Sequence, residues 1–200
     1  MIRTLALAAL AAALVVPTAH AQQATAAKAP VNDSMFASAA ASGGLAELTL
    51  SELGLQKATD PELKKFSQTM IDEHSRVNQE LTTLAAQKRL PLPRAADARA
   101  QFCAQSLAGL SGEEFDRCYA KAQLVTHMDA YGMYEAEAER GQDRDLKAFA
   151  SKTLPHIKDH LKMIRPLARK FEKEHSDDAR SDSERHSGSE KRSDSERRSK

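Results

Sequence analysis

His156 and His160 stand one helical turn apart in the stretch Leu154-Pro-His-Ile-Lys-Asp-His160, a spacing that stacks two imidazoles on one helix face within reach of a shared ion. Three other residues complete a candidate set: His74, His127 and Glu47. Imidazole nitrogens with one carboxylate are acceptable ligands for Fe, Cu or Zn. Counted from the two expected interhelical turns, Glu47 lies about a dozen residues before the first and His74 about fourteen after it; His127 lies about fourteen before the second and His156 about fifteen after it. At a rise of ~1.5 Å per residue, all four fall within roughly one turn of a common level.

The same residues limit which chemistry is possible. A di-iron carboxylate centre asks for Glu-x-x-His on two helices, but Ile71 and Ile157 occupy the positions three before His74 and His160. The Glu172 to His175 pair lies at the end of the last expected helix. His156-Ile-Lys-Asp-His160 also lacks the glutamate of a zinc-peptidase helix, and no Gly-x-Ser-x-Gly, Walker or dinucleotide-binding motif occurs. No catalytic residue is assigned. Two readings stand side by side: a metal site, and a metal-free layer of mutually hydrogen-bonded His and Glu that fixes helix register.

Either reading needs helices to carry the side chains. The first is expected to start at Asn32, Asp33 or Ser34 and to turn Phe36, Ala39, Gly43, Ala46, Leu50 and Leu53 inward. Thr59-Asp60-Pro61-Glu62 reads as a stop and a capped start. The second helix then buries Leu63, Phe66, Met70, Val77, Leu81 and Leu84 and runs to about Lys88, before Leu90-Pro-Leu-Pro93 halts it. Residues 94–110 connect, with a short helix from Ala95 to Leu107.

Ser111-Gly-Glu-Glu114 has the form of a capping box ahead of Phe115, Tyr119, Ala122, Leu124, Met128, Tyr131 and Tyr134. Gly141 suits a left-handed stop. A last helix starts near Asp143, buries Leu146, Phe149, Ala150, Thr153, Ile157, Leu161, Ile164, Ala168 and Phe171, and is expected to bend at Pro155. Four long helices with a connection of about twenty residues between the second and third predict an all-α, ferritin-like four-helix bundle over 32–174. Within it His74, His127 and His160 lie on or beside the buried stripes, and His156 lies at a margin. Glu47 sits beside small residues that leave it room, and Glu135 shares a face with His127 two turns along.

Composition agrees with this class. Hydrophobic residues make up 41% of the 200 residues but aromatics only 4%, with no Trp, which favours close-packed helices. Lys and Arg number 29 against 28 Asp and Glu, so no basic excess points to nucleic acid. Arg3, the apolar run Leu5 to Val16 and Ala19-His20-Ala21 read as a signal peptide over 1–21, with an uncleaved anchor as the alternative. Residues 22–31 form a flexible lead-in, and no later segment is apolar enough to span a membrane.

The chain is therefore expected to be exported, into the periplasm if the source is Gram-negative. Export would place Cys103 and Cys118 in an oxidising compartment and favours a disulfide, whose loop of roughly fifteen residues gives about 3 kcal/mol at best. Residues 175–200 hold no large apolar side chain and repeat Ser-Asp-Ser-Glu-Arg at 181–185 and 193–197. They are expected to be a disordered charged tail.

Several strings in order resemble the exported bacterial proteins of domain-of-unknown-function family 4142: Phe36-Ala-Ser-Ala-Ala-Ala-Ser-Gly-Gly-Leu-Ala-Glu47, Phe66-Ser-Gln-Thr-Met-Ile-Asp-Glu-His74, Phe115-Asp-Arg-Cys-Tyr119, His127 with Tyr134-Glu135, and Leu154-Pro-His-Ile-Lys-Asp-His160-Leu. The resemblance covers about residues 32 to 170. It implies a ferritin-like bundle outside the cytoplasm and family-typical Glu47, His74, His127 and His160, and it implies no activity. The leading expectation is a non-enzymatic binding or envelope-stress protein. The alternatives are a metal-binding protein and a bundle that presents its tail; neither a protein partner nor an oligomeric state follows from the sequence.

Overall fold

Helix starts in this chain are set by side chains that take up the first free amides. The computed structural model describes residues 31–197, with side chains as far as 173; the expected signal peptide and all but the last residue of the lead-in lie outside the described residues. Helix α1, Asp33–Lys57, is capped by Asn32, whose Oδ1 accepts the Met35 amide at 3.1 Å. Helix α2, Pro61–Lys88, begins on Asp60, which accepts the amides of Glu62 and Leu63. Asp97 caps α3, Ala98–Ala108, by accepting the Ala100 amide, so α3 starts three residues later than expected. Asp143 accepts the amides of Asp145 and Leu146 to open α5, Arg144–Arg197.

Helix α4, Gly112–Arg140, departs from the expected capping box. Ser111 stands at the N-cap but makes no side-chain capping bond, because the chain enters through Gly112 at φ +60°, a left-handed turn open to glycine. Gly141 does not take the left-handed conformation expected of it, with φ at −56°. Its glycine is needed for space instead, since a Cβ there would overlap the carboxyl and carbonyl of Glu137.

The four long helices pack in the cyclic order α1, α2, α5, α4, with α3 against α1 and α4. At one end Asp33 of α1 accepts the amides of Gln142 and Asp143, while Lys88, at the end of α2, pairs with Asp143 and Asp145. At the other end Asp116 of α4 accepts the amides of Thr59 and Asp60, and Lys170 of α5 pairs with Asp60. So α2 and α4 run parallel, and the connection between them must travel the length of the bundle, carrying α3 over the α1–α4 seam. This is the expected all-α bundle with one long crossover, and no strand occurs among the described residues.

Helix α5 continues through two prolines. Pro155 and Pro166 both lie inside it; the lost ladder bond is local, and the turns around Pro155 are held by burial of Thr153 and Ile157. The span of α5 extends to Arg197.

The core is divided. One cluster holds Leu50, Phe66, Met70, Phe115, Tyr119 and Ile164, and the other holds Phe36, Leu81, Tyr134, Phe149, Ile157 and Leu161. Along α1, α2 and α4 the boundary falls at a polar residue, Glu47, His74 and His127, and on α5 it falls just past His160, between Leu161 and Ile164. Cys103 and Cys118 are free, half-buried thiols packed against the first cluster, so the expected disulfide is absent. Sequence spacing closes a loop without bringing two Cβ atoms to the ~3.8 Å that a bridge needs.

Two tests follow from this packing. A Cβ at Gly54 would overlap Tyr119 and Ser67, whereas one at Gly43 meets nothing within 4 Å. Gly54→Ala is expected to lower unfolding free energy in urea by about 1–3 kcal/mol, and Gly43→Ala to leave it unchanged or raise it by up to about 1 kcal/mol. Equal effects would contradict the packing. Glu137 is buried, and burial, then the hydrogen bond and charge of Asp33 and the charge of Asp143, push its carboxyl from 4.5 up to about 7, against Lys147. The native state therefore holds a proton that the unfolded chain has released, and this stabilisation is complete below pH 4.5 and lost as pH rises through about 7. Wild type should lose stability relative to Glu137→Gln across that window; a constant difference would refute the shared proton.

Candidate metal centre

Between the two apolar clusters, three helices each deliver one imidazole: His74 from α2, His127 from α4 and His160 from α5. One nitrogen of each lies within 4.8 Å of the other two. The rings meet edge-on or tilted, with centroids 5.2 to 5.9 Å apart. They converge by their nitrogens and do not stack.

Outer partners fix where the protons sit. His127 Nδ1 is 2.8 Å from the Gln123 carbonyl, one turn back on α4; a carbonyl only accepts, so Nδ1 carries the proton and Nε2 the lone pair. His160 Nε2 is 3.0 Å from the Glu73 carboxylate, which leaves the lone pair on Nδ1. Those two lone pairs face each other, with His127 Nε2 3.3 Å from His160 Nδ1. Two donors of a tetrahedral ion bound at ~2.0–2.1 Å stand about 3.3–3.4 Å apart. His74 Nε2 is buried without any hydrogen-bond partner.

Protonation does not relieve this arrangement near neutral pH. Burial, then the neighbouring His127 and His160, push His74 down to about 3. Burial and His127 push His160 down to about 4 despite the opposing pull of Glu73. Both rings are neutral donors. The carbonyl behind His127 and the carboxylate behind His160 are the kind of outer partner that holds a metal-binding histidine in one tautomer.

Two of the five expected ligands stand outside the trio. Glu47 is 6% exposed, but its nearest approach to the imidazoles is Oε1 at 3.9 Å from His127 Nδ1, the side away from the other rings. Its Oε2 has no partner. His156 is half exposed and pairs with Glu73 Oε2 at 3.3 Å, so the stacked His156 and His160 share a carboxylate. Glu73 was not among the expected residues. Its signal was the histidine pair itself, which needs an acceptor on the neighbouring helix, and Glu73 adjoins His74 on that helix. Glu135 receives the Tyr131 hydroxyl and takes no part.

The trio lines a cavity of about 520 Å3 whose walls also include Gly43, Gly44, Ala46, Ala122, Val125 and Met133. The small residues of α1 leave this room.

Residues 17–167 match a family described as a domain of unknown function, DUF4142. The chain belongs to the DUF4142 family. The structure is similar to the crystal structure of a DUF305 protein from Streptomyces coelicolor that is described as secreted, at 13% identity and a TM-score of 0.59 over 70% of this chain and 91% of that one. At that identity the likeness is one of fold. No curated protein matches. Among the described residues of this DUF4142 chain, no helix is long and apolar enough to cross a membrane.

The facing lone pairs can be tested without any ion. Proton–nitrogen correlation NMR of metal-free protein at neutral pH should show His127 protonated at Nδ1 and His160 at Nε2. Glu73→Gln should shift His160 towards a mixture of tautomers, since an amide has a weaker claim on that proton. A His160 protonated at Nδ1 in wild type would remove the donor pair.

Proposed function

We propose that this DUF4142 protein is a non-enzymatic binder of one transition-metal ion, held by His74 Nε2, His127 Nε2 and His160 Nδ1. The observation that carries the reading is the 3.3 Å approach of two imidazole nitrogens whose protons are drawn to the opposite sides of their rings. A metal-free polar layer would hold a proton between such nitrogens, and here each proton has a better acceptor elsewhere. An all-imidazole set suits Zn2+ or Cu2+ and sits poorly with a di-iron centre, which needs bridging carboxylates. Glu47 and Glu73 stand behind the rings, where they tune donors without binding the ion.

The setting we infer is outside the cytoplasm, supported by the charged, apolar and Ala-x-Ala pattern of residues 1–21. In a Gram-negative source that is the periplasm. The sequence carries no recognised catalytic motif, and the activity proposed is binding.

Elemental mass spectrometry on untagged protein from its exported fraction is expected to find close to one ion per chain. His74→Ala, His127→Ala and His160→Ala should each lower this sharply, while His156→Ala and the Cys103→Ser/Cys118→Ser pair should leave it in place. Glu73→Gln should weaken affinity by about 10–100-fold, the usual effect of losing an outer partner. No bound metal after incubation with excess Zn2+ or Cu2+, or full occupancy in all three single variants, would overturn the proposal.

A further inference from the structure

Donors reach the layer from α2, α4 and α5, so α1 is the one helix of the ring that supplies none. Where α1 passes the imidazoles it presents Ala40, Gly43, Gly44 and Glu47. Gly44 is filled by Asn78, and Glu47 stands behind His127. Gly43 is exposed and a Cβ there would meet open space, which places it at the mouth of the cavity. All three histidines line that same cavity.

We propose that the ion's remaining coordination position faces this cavity and takes an exogenous azole, with its ring nitrogen on the metal and its apolar body between α1 and α4. The inference rests on the three-histidine reading above. A site with three protein ligands and one position left for an outside molecule is the form that exchanges ligands, whereas structural sites are closed by a fourth side chain. The cavity volume of about 520 Å3 lies within the range of small-molecule sites, and its walls are mostly apolar with a few polar atoms.

One of those polar atoms selects the head group. Glu47 Oε2 is buried on the cavity wall without a partner. A carboxylate oxygen accepts the N–H of a neutral azole and repels a simple anion. The nearby charges of Glu47 and Glu73 work in the same direction, against anionic ligands and for a neutral nitrogen donor.

The test uses full-length protein loaded with Co2+, whose visible spectrum reports its ligands. Titration with 4-phenylimidazole is expected to give a saturable spectral change, at an affinity about tenfold or more above that of imidazole because the phenyl group is buried. Gly43→Phe, which grows into open space, should erase that advantage while Co2+ stoichiometry and imidazole binding stay as in wild type. If Co2+ binds but neither azole alters the spectrum, or if the two bind alike and Gly43→Phe has no effect, the cavity proposal falls and the three-histidine site stands. If Co2+ does not bind, both fall together.

Discussion

A bundle of this kind can bury three imidazoles only if every helix interrupts its apolar stripe at the same height, and this constraint organises the structure. Polar atoms removed from water without partners are costly. The chain gathers its three buried imidazoles in one layer between the two apolar clusters. A slip of α2, α4 or α5 by one turn, ~5.4 Å, would drive an imidazole into a cluster. The layer therefore sets the register of the helices as well as the chemistry of the site, and a bound ion would reinforce a register that packing already prefers.

Glu73 links this layer to the surface. Its Oε2 meets the half-exposed His156 on one side and the buried His160 on the other. One carboxylate thereby holds a buried ring in the tautomer that turns its lone pair inward. The price of such an arrangement is a charge near the core, and the exposed imidazole shares it. Nearby, Tyr119 bonds Ser67 and fills the space left by Gly54, so the polar layer grades into the apolar cluster through hydroxyls and not through a sharp boundary.

The legibility of each helix followed the chemistry of its buried face. On α5 that face is nearly all large apolar residues at helical spacing, and every residue expected to be buried, from Leu146 to Phe171, is buried. On α4 the buried face contains Asp116, Gln123, His127 and Glu137, so periodicity of apolar residues pointed partly elsewhere and placed Met128 inward, although it is 53% exposed. On α1 small residues carry little directional signal, and Ala39 and Gly43, expected inside, face outward beside the buried Ala40 and Gly44. His74, His127 and His160 were legible because they fall on stripes of known direction. Glu73 was not, because its role depends on a neighbouring helix that its own spacing does not reveal.

The chain order of the donors has a consequence for how the site comes into being. His127 and His160 belong to the α4–α5 hairpin, joined by a short turn at Gly141, whereas His74 arrives on the α1–α2 hairpin through a crossover of the bundle's full length. Local hairpins close early and long-range docking closes late. Two donors can thus meet before the third is delivered, and an ion captured by the first pair would wait for the other hairpin. In such a chain the third histidine would act as a clasp on assembly, and the metal would report that the two halves have found each other.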